Sequence, residues 1–582
     1  MRLVAGIAVC LILTGTGGAA KVSSSDSLVA TKASDTARLY KEVDRQSLYV
    51  PVRDGTRLAV HIYRPAIKGK AVDRRYPVVF AFTPYRARFK GADGKIEEAG
   101  LSEQLGLKGL TDFGYVVVVA DVRGKGASFG ARRGLQDRTE ALDGHDLVEW
   151  LAGQPWSTGR VGMTGCSYLG GTTLQTASTA PPSLKAIFTG AADLDKYMFV
   201  RRGGITAQFN TRPDEPLSVD LASLPVDADT DGALLRAAVA QHAGNTPMAP
   251  LWYGMPYRDS LSTLTGTKFW EEVGPYTYLD TIKKSGIATY FWGNWQDEPT
   301  EQMILAAANL GGRLMVGPGT HCVPAKDFDF SGEQRRFFDR YLKEIDNGFD
   351  RQPRAIWWTD EAPQGQRWTK SDRLPGEGAK RAPLYLHAEQ LSAQTPASET
   401  ATKFTVDYNV GETEYFAFWP PPIENRGLRF DSAPLTRDRT LLGGPIARLT
   451  VKSDRKDALL WVYLEDVAPD GSAFVVSQGR LAASHRKEGT PPFDTLGMPW
   501  HPSRAADVAP LRPAEAVAVA IPMLPAARVI KAGHRLRLIV TGADPRQRNL
   551  AQIKETPPPV ITLVNGGANP ARVDLPWADL IQ

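Results

Sequence analysis

The sequence predicts an α/β core with a mainly parallel sheet, a helical cap inserted into that core, and a C-terminal β-sandwich of jelly-roll-like type. Three features of the 582-residue chain lead to this prediction. Continuous apolar runs at 77–82 and 115–120 are typical of strands that are buried on both faces of a parallel sheet. The stretch 195–284 interrupts the core and is too long for a plain loop. After residue 383, short β-prone runs separated by Gly, Pro and Asp indicate antiparallel strands.

The first 20 residues are predicted to be a signal peptide. Positive charge at Met1–Arg2, an apolar run over 3–13 and small residues at 17–20 are the features of a secretory leader. The apolar run is too short to span a bilayer stably, so we expect no membrane span. We therefore expect an exported protein, periplasmic or extracellular, with a loose lead-in over 21–46.

The core is predicted to occupy 47–194 and 285–382. Two apolar runs flank the turn Asp54–Gly55, which predicts a hairpin at the start of the core. A segment with helical spacing of its apolar residues at 140–151 precedes a strand at 160–164. This order of strand, helix and strand is that of α/β proteins.

The segment 195–284 is predicted to form a helical cap over the sheet. It contains a run of helix-forming residues, 233–240, behind Asp231 as a candidate N-cap. The core then resumes with buried strands at 288–292 and 313–316. A following helix is expected to pack back onto the sheet through its apolar positions.

The C-terminal segment 383–582 is predicted to be the β-sandwich. Its short runs are rich in β-branched and aromatic residues, and few helical stretches lie between them. The clearest strands are 384–386, 446–451, 459–464 and 536–540.

Composition excludes several classes of protein. Hydrophobic residues make up 42% and charged residues 23%, which are globular values rather than those of disordered or multi-span membrane chains. The net charge of +5, from 69 basic and 64 acidic residues, is too small for a nucleic-acid-binding protein of this length, so we expect no nucleic-acid partner. Three cysteines exclude a disulfide scaffold and a Cys-based zinc site. With eight histidines and no His-x-x-x-His pair, we expect no metal and no cofactor.

A candidate nucleophile, Ser167, lies between a predicted strand and a predicted helix. The small residues around it, in Gly165–Gly171, suit a tight turn that presents the hydroxyl at the top of the sheet. A helix N-terminus behind the serine favours developing negative charge. The second glycine falls at the third position after Ser167 rather than the second, so the pattern alone leaves both a nucleophile and a structural turn serine open.

Asp297 and His321 are the candidate partners of Ser167. A serine nucleophile needs a base, and the base needs an orienting carboxylate. Asp297 follows the strand at 288–292 and His321 follows the strand at 313–316, which is the chain order of serine, acid and histidine in α/β-hydrolases. Both lie just beyond the carboxyl ends of their strands, where open α/β sheets place catalytic groups.

These residues resemble the CocE/NonD hydrolases and the related X-Pro dipeptidyl-peptidases. Gly165–Gly170 matches the family's Gly-x-Ser-Tyr-x-Gly, which accounts for the position of the second glycine. The resemblance runs from about Ser47 to the C-terminus and implies an α/β-hydrolase core with a cap and a C-terminal β-sandwich. The other matching motifs are Trp295–Asp297, Gly317–His321, Thr83–Tyr85, Asp121–Gly130 and Gln154–Gly162.

By this resemblance, Ser167 is the nucleophile, His321 the general base and acid, and Asp297 its orienting partner. The resemblance also implies an oxyanion hole made by the Tyr85 hydroxyl and the backbone N–H of Tyr168. Asp121, Arg123 and Asp143 fit the family pattern too, and we expect them to pair structurally beneath the site.

The implied reaction is ester or amide hydrolysis through an acyl-enzyme, with a small-molecule or peptide acyl substrate. An X-Pro dipeptidyl-peptidase is one alternative, and a non-catalytic binding protein with a lapsed triad is another. The segment Glu298–Glu301 supplies only part of the acidic cluster that similar amino-ester hydrolases use for a free α-amine. Arg201 or Arg202 could instead pair with an anionic acyl group.

Two cysteines adjoin the implied triad, and one hypothesis is that they form a disulfide. Cys166 precedes Ser167 and Cys322 follows His321, so contact between serine and histidine would bring the two sulfurs near each other. Export would permit the bond. The alternative is two free thiols on turns that point apart.

Overall fold

The computed structural model describes residues 37–102, 106–206, 213–411, 413–414, 416–423, 426–546 and 553–580. The predicted signal peptide lies outside these residues, as does most of the predicted lead-in. No helix among the described residues is both long enough and apolar enough to cross a membrane.

Twenty-six strands and ten α-helices are described. The helices α1 to α10 are, in chain order, Arg138–Ala152, Tyr168–Ala177, Lys196–Val200, Leu217–Leu221, Ala233–Gln241, Met248–Tyr253, Phe269–Val273, Leu279–Ser285, Thr300–Leu310 and Phe330–Leu342. The strands β1 to β13 are Glu42–Pro51, Arg57–Ile67, Lys70–Ala71, Tyr76–Thr83, Arg88–Lys90, Ile96–Glu98, Val116–Asp121, Ser157–Cys166, Leu184–Gly190, Ala288–Asn294, Arg313–Gly317, Ala355–Trp358 and Trp368–Ser371. The strands β14 to β26 are Ala382–His387, Gln390–Ser392, Thr400–Thr405, Leu428–Ser432, Arg439–Gly443, Ile446–Ser453, Leu459–Val467, Ala473–Ala482, Val517–Pro522, Ala526–Ile530, Arg535–Thr541, Val560–Asn565 and Arg572–Leu575.

The first large sheet has the strand order β1-β2-β7-β4-β8-β9-β10-β11-β12-β13, with β3 paired to β2. All pairings from β7 through β12 are parallel, and the pairings at both ends of the order are antiparallel. The strands predicted from continuous apolar runs, β4 and β7, are adjacent in this parallel part.

Both faces of the parallel sheet are covered. Val78 and Phe80 of β4 belong to one apolar core with residues of α1, α2 and α9. Val79 and Ala81, which point to the opposite face, belong to a second core with Phe337 of α10. Burial on both sides is why these strands are apolar throughout rather than alternating.

The first strand, β1, begins at Glu42, inside the segment 21–46 that we predicted as a loose lead-in. Residues Glu42 to Gln46 pair in register with Ala66 to Ile62 of β2. The polar composition of this segment hid the strand, because β1 is at the edge of the sheet and keeps much of its surface in water.

Between β9 and β10 the described residues hold helices α3 to α8 and no strand. A small apolar cluster around Trp252 and Trp270 packs α3, α6 and α7 together. Helix α5 begins after Gly232, where Asp231 accepts only the Ala233 N–H. Asp229 accepts the next two N–H groups and is the main cap, in place of the predicted Asp231.

The C-terminal part is β-rich. Its larger sheet has the order β16-β25-β19-β26-β14-β15-β17-β24-β20-β21 with β22 paired to β19, and its pairings are antiparallel except that of β15 with β17. Strands β18 and β23 form a separate pair. One apolar core joins residues of both sheets, from Leu386 to Trp577. The exact domain limits given above stay predictions.

Candidate active site

Ser167 lies at a sharp turn between the end of β8 and the start of α2. Its backbone has φ +61° and ψ −127°, a conformation that non-glycine residues adopt only where the surrounding structure imposes it. This is the geometry of a nucleophile elbow, and it favours the nucleophile over the structural turn serine that the sequence left open.

The two glycines around Ser167 are there because the turn has no room for side chains. A Cβ on Gly165 would lie 2.4 Å from the backbone carbon of Leu169. A Cβ on Gly170 would lie 2.2 Å from the carbonyl oxygen of Gly190, in the neighbouring strand β9. The close approach of α2 to β9 therefore accounts for a glycine at the third position after the serine.

Asp297 and His321 form a hydrogen-bonded pair. Each follows a parallel strand, Asp297 after β10 and His321 after β11. His321 Nδ1 donates to both carboxylate oxygens of Asp297, at 3.0 Å each. The Asp297 side chain is fully buried and that of His321 is 22% exposed, so the carboxylate orients a ring whose other edge remains accessible.

Tyr85 lies beside Ser167. It follows the end of β4, and its hydroxyl is 3.5 Å from Ser167 Oγ. The side chain is 49% exposed, which does not suit a hydrogen-bonded core tyrosine. Tyr168 is the first residue of α2, so its backbone N–H is one of those that a helix leaves without an intrahelical partner.

The structure therefore places Ser167 next to Tyr85, and Asp297 next to His321, at the carboxyl ends of the parallel strands. Among the described residues, no hydrogen bond joins His321 to Ser167. The residues next to these two are covalently linked instead, because Cys166 and Cys322 form a disulfide with their Cα atoms 5.9 Å apart. This settles the alternative that the sequence left open in favour of the disulfide.

Arg123 and Asp143 form the expected structural pair, whereas Asp121 bonds to backbone N–H groups instead. Arg123 donates to both carboxylate oxygens of Asp143, at 2.5 and 2.6 Å. Asp121 accepts the N–H groups of Ala87 and Ala127, at 2.6 and 2.9 Å, and so holds the loop that carries Tyr85. Burial raises the pKa of Asp121 to about 7.

The Tyr168 side chain is anchored away from Ser167. The Tyr168 hydroxyl donates to Glu140 Oε2 at 2.8 Å, and the backbone carbonyl of Tyr168 accepts from the Gln136 side-chain amide. Burial raises the pKa of Glu140 to about 8, with repulsion from Asp137 as the next cause. These contacts hold the first turn of α2, and with it the Tyr168 N–H, in place.

Sequence reasoning missed two groups that shape the site. Asn294, at the end of β10, donates from its side-chain amide to the carbonyls of Thr320 and Val323, at 2.6 and 2.8 Å, and so spans the His321 turn. Its place next to the Trp295–Asp297 motif was the available signal. Phe418 from the C-terminal part lies against His321, with ring centroids 4.3 Å apart. No local pattern marks Phe418.

The acidic residues that follow Asp297 are neutralised by arginines. Glu298 is buried and pairs with Arg202 at 3.0 Å and Arg480 at 2.9 Å, with Arg546 3.9 Å away. Burial would raise the pKa of Glu298, but the surrounding arginines outweigh it and lower that pKa to about 2. Glu301 pairs with Arg202 at 2.7 Å.

The two arginines that we considered for an anionic acyl group differ in their contacts. Arg202 is buried and forms ion pairs with Glu298 and Glu301, so its role is structural. Arg201 donates to the carbonyls of Trp252 and Gly204, both at 3.4 Å. Among the described residues, no group of His, Cys, Asp and Glu has the arrangement of a metal site.

Two family models match the chain in sequence. Residues 54–323 match the X-Pro dipeptidyl-peptidase (S15 family), and residues 347–569 match the X-Pro dipeptidyl-peptidase C-terminal non-catalytic domain. A Mycobacterium bovis protein, named provisionally as a serine esterase, is 27% identical over 92% of this chain and 96% of its own length. The cocaine esterase of a Rhodococcus species is 26% identical over 86% of this chain and 90% of its own length.

The fold agrees with these matches. The crystal structure of a CocE/NonD family hydrolase from Staphylococcus aureus superposes with a TM-score of 0.71 at 22% identity, covering 92% of this chain and 94% of that one. The predicted α/β-hydrolase core and C-terminal β-sandwich are thereby confirmed. The chain therefore carries the two domains of the X-Pro dipeptidyl-peptidase (S15) family in sequence and is a CocE/NonD-like serine hydrolase.

Proposed function

We propose that Ser167, His321 and Asp297 are the catalytic triad of this serine hydrolase, with the Tyr85 hydroxyl and the Tyr168 N–H as its oxyanion hole. The observation that carries the proposal is the grouping at one sheet edge. Ser167 sits in a strained elbow with a phenol 3.5 Å from its Oγ, and an Asp–His pair lies at the ends of β10 and β11.

The residues would act in two steps. His321 Nε2 takes the Ser167 proton as Oγ attacks the acyl carbonyl, and Asp297 stabilises the imidazolium that results. The negative charge that develops on the carbonyl oxygen is met by the Tyr85 hydroxyl, the Tyr168 N–H and the N-terminus of α2. His321 then returns its proton to the leaving group, and water hydrolyses the acyl-enzyme by the same path in reverse order.

Direct proton transfer needs Ser167 Oγ within hydrogen-bond reach of His321 Nε2. In serine hydrolases this contact often tightens only when substrate is bound. Asp297 already fixes the histidine ring, so the proposal requires the Ser167 hydroxyl to approach it.

The charges around the site favour an acyl group without a free α-ammonium. An ammonium needs an unpaired carboxylate nearby. Glu298 and Glu301 are each paired with a buried arginine, and Asp193 is paired with Lys196. An ester or amide with a neutral acyl group is therefore the proposed substrate, and an X-Pro dipeptide is the second candidate because of the S15 family match.

We also propose that the mature enzyme is exported. The leader at 1–20 has the composition of a signal peptide. The disulfide between Cys166 and Cys322 supports this, because such bonds persist in oxidising compartments and are rare in the cytosol. Expression with residues 1–20 intact, followed by N-terminal sequencing of the periplasmic and medium fractions, tests it. Full-length protein retained in the cytosol would contradict export.

Labelling with a fluorophosphonate tests the proposed nucleophile. We expect the wild type to be labelled at Ser167, as located by mass spectrometry of the peptide. Ser167→Ala should not be labelled, and Ser398→Ala, at an exposed serine far along the chain, should be labelled like the wild type. Absence of label on the wild type would support a binding protein with a lapsed triad, and equal labelling of Ser167→Ala would contradict the assignment.

Substrate class is tested with matched chromogenic substrates. We expect p-nitrophenyl butyrate to be hydrolysed with higher kcat/KM than an X-Pro p-nitroanilide whose α-amine is free. Acetylating that α-amine removes its positive charge, so the capped substrate shows whether the charge or the shape of the X-Pro group determines the rate. A preference for the free amine would favour the dipeptidyl-peptidase alternative.

A further inference from the structure

The disulfide connects the two strands that carry the proposed nucleophile and the proposed base. Cys166 is the last residue of β8, directly before Ser167, and Cys322 directly follows His321 in the turn after β11. The cysteines are 156 residues apart in sequence. Strands β9 and β10 lie between β8 and β11 in the sheet. The disulfide therefore passes over the carboxyl ends of two intervening strands and does not join neighbouring strands.

The hydrogen bonds from Asn294 and Asp297 tie the His321 turn to β10, and the His321 ring also lies against Phe418. The Asn294 amide holds the carbonyls of Thr320 and Val323, and Asp297 holds the imidazole. These contacts fix the histidine relative to its acid. The separation of His321 from Ser167 is set through the sheet, by the pairings of β8 with β9, β9 with β10 and β10 with β11, and directly by the covalent link between Cys166 and Cys322. Among the described residues, no hydrogen bond joins Ser167 to His321.

The backbone at both ends of this link is held in an unusual conformation. Ser167 has φ +61° and Cys322 has φ +58°, in the region that residues other than glycine rarely adopt. Such conformations persist only where neighbouring structure imposes them. A covalent bond between the residue before the serine and the residue after the histidine is a constraint of that kind.

We propose that the Cys166–Cys322 disulfide is the positioning element that sets His321 against Ser167, so that turnover depends on its oxidised state. This rests on the proposed triad. The bond touches neither substrate nor reacting atoms; it acts through the two residues next to it. Cys166 is 4% exposed and Cys322 7%, so the bond is shielded and serves as a lasting constraint.

Reduction breaks the bond in a balanced exchange. A dithiol such as dithiothreitol donates two electrons and two protons, is itself oxidised to the cyclic disulfide, and leaves Cys166 and Cys322 as two thiols. The His321 turn then keeps its contacts with Asn294 and Asp297 but loses its covalent link to β8. The hydroxyl of Ser167 is chemically unchanged.

The test compares the double variant Cys166→Ala/Cys322→Ala with the wild type. We expect kcat for p-nitrophenyl butyrate to fall by about 10- to 100-fold, since misplacing a catalytic group by about 1 Å has an effect of that size, while KM changes less than about twofold. The rate of fluorophosphonate labelling at Ser167 should fall in parallel, because it needs the same base. The control is Asn309→Ala, which removes the buried amide that bonds to the Asp494 backbone and should lower Tm without lowering kcat per folded molecule.

Reduction of the wild type provides a second arm in case the double variant does not fold. We expect activity to decline in step with the count of free thiols by mass spectrometry, and to return on reoxidation. Unchanged kcat and labelling rate in either the folded double variant or the fully reduced enzyme would overturn the positioning role and leave the triad intact. Absence of label at Ser167 in the oxidised wild type would instead overturn the triad.

Discussion

Among the candidate site residues, Tyr85 is the one whose possible roles the structure restricts most. Its hydroxyl is 3.5 Å from Ser167 Oγ, and the residue is 49% exposed. Its loop is held from below by Asp121, which accepts the Ala87 N–H. In the proposed oxyanion hole, a donor held in this way would need no reorientation when charge develops.

Removing only the Tyr85 hydroxyl should therefore slow the chemical step. We expect Tyr85→Phe to lower kcat by about 10²-fold with little change in KM, because the donor acts on the transition state and the ring that shapes the pocket remains. Steady-state kinetics with p-nitrophenyl butyrate measure it. Tyr385→Phe, in β14 of the C-terminal sheet, is the matched control and should behave like the wild type. Equal kcat for Tyr85→Phe and the control would remove Tyr85 from the oxyanion hole.

At the scale of elements, the site depends on how closely α2 approaches β9. The sharp turn at Ser167 leads directly into α2, whose first turn meets β9 at Gly170. Thr189 of β9 donates to the Gly170 carbonyl at 2.8 Å, which fixes the two elements at this spacing. Any side chain at Gly170 would push α2, and the Tyr168 N–H with it, away from the strand.

Gly170→Ala should therefore damage both stability and catalysis. A Cβ 2.2 Å from a backbone carbonyl forces a backbone shift, for which we expect a loss of about 1–3 kcal/mol in the free energy of unfolding and a lower kcat. Urea unfolding and steady-state kinetics measure the two effects. Gly153→Ala, whose nearest atoms would be at an ordinary 3.6 Å, is the control and should leave both quantities nearly unchanged. A Gly170→Ala enzyme as stable as this control would show that α2 has more room than the structure gives it.

At the scale of the whole molecule, buried charges join the catalytic core to the C-terminal sheet. Glu298 follows Asp297 directly, Arg202 lies at the start of the cap segment, and Arg480 belongs to β21. The three meet in a buried ion-pair cluster that Arg546 extends into the C-terminal part. The cluster holds the Asp297 loop against the C-terminal part that supplies Phe418 to the site.

Glu298→Gln should strongly destabilise the protein, because it leaves buried arginines without their counter-charge. We expect a loss of about 3–5 kcal/mol in the free energy of unfolding at pH 7. Since the folded pKa of Glu298 is lowered to about 2, its stabilisation is present above the unfolded pKa and is lost as pH falls from about 4.5 towards 2.

Urea unfolding of the wild type and Glu298→Gln at pH 7, 5 and 3.5 measures this dependence. The difference in free energy between the two proteins should be largest at pH 7 and 5 and smaller at pH 3.5. Glu555→Gln, at a carboxylate that is 47% exposed and paired with Arg455, is the control and should change stability by less than about 1 kcal/mol. A difference that stays constant with pH would mean that the Glu298 charge is not what holds the cluster.

Much of the site could be predicted from sequence because its parts are local. The apolar runs of β4 and β7 indicate buried parallel strands by composition alone, and a functional residue directly after such a strand falls at the shared carboxyl edge of the sheet. Ser167, Asp297 and His321 each carry that local signal. The edge strand β1 was hidden, since half-exposed strands need no continuous apolar run.

The sequence by itself determined the buried parallel strands β4, β7, β8, β10 and β11, the chain order of the three candidate residues and the two cysteines beside them. Only the tertiary structure showed that Cys166 is bonded to Cys322 and that Phe418 lies against His321. It also showed that Glu298 and Glu301 form ion pairs with arginine and are therefore not available to a substrate amine. The physical reason is distance along the chain. The disulfide joins residues 156 apart in sequence and the Arg202–Glu298 pair residues 96 apart, and only the tertiary packing brings them within reach.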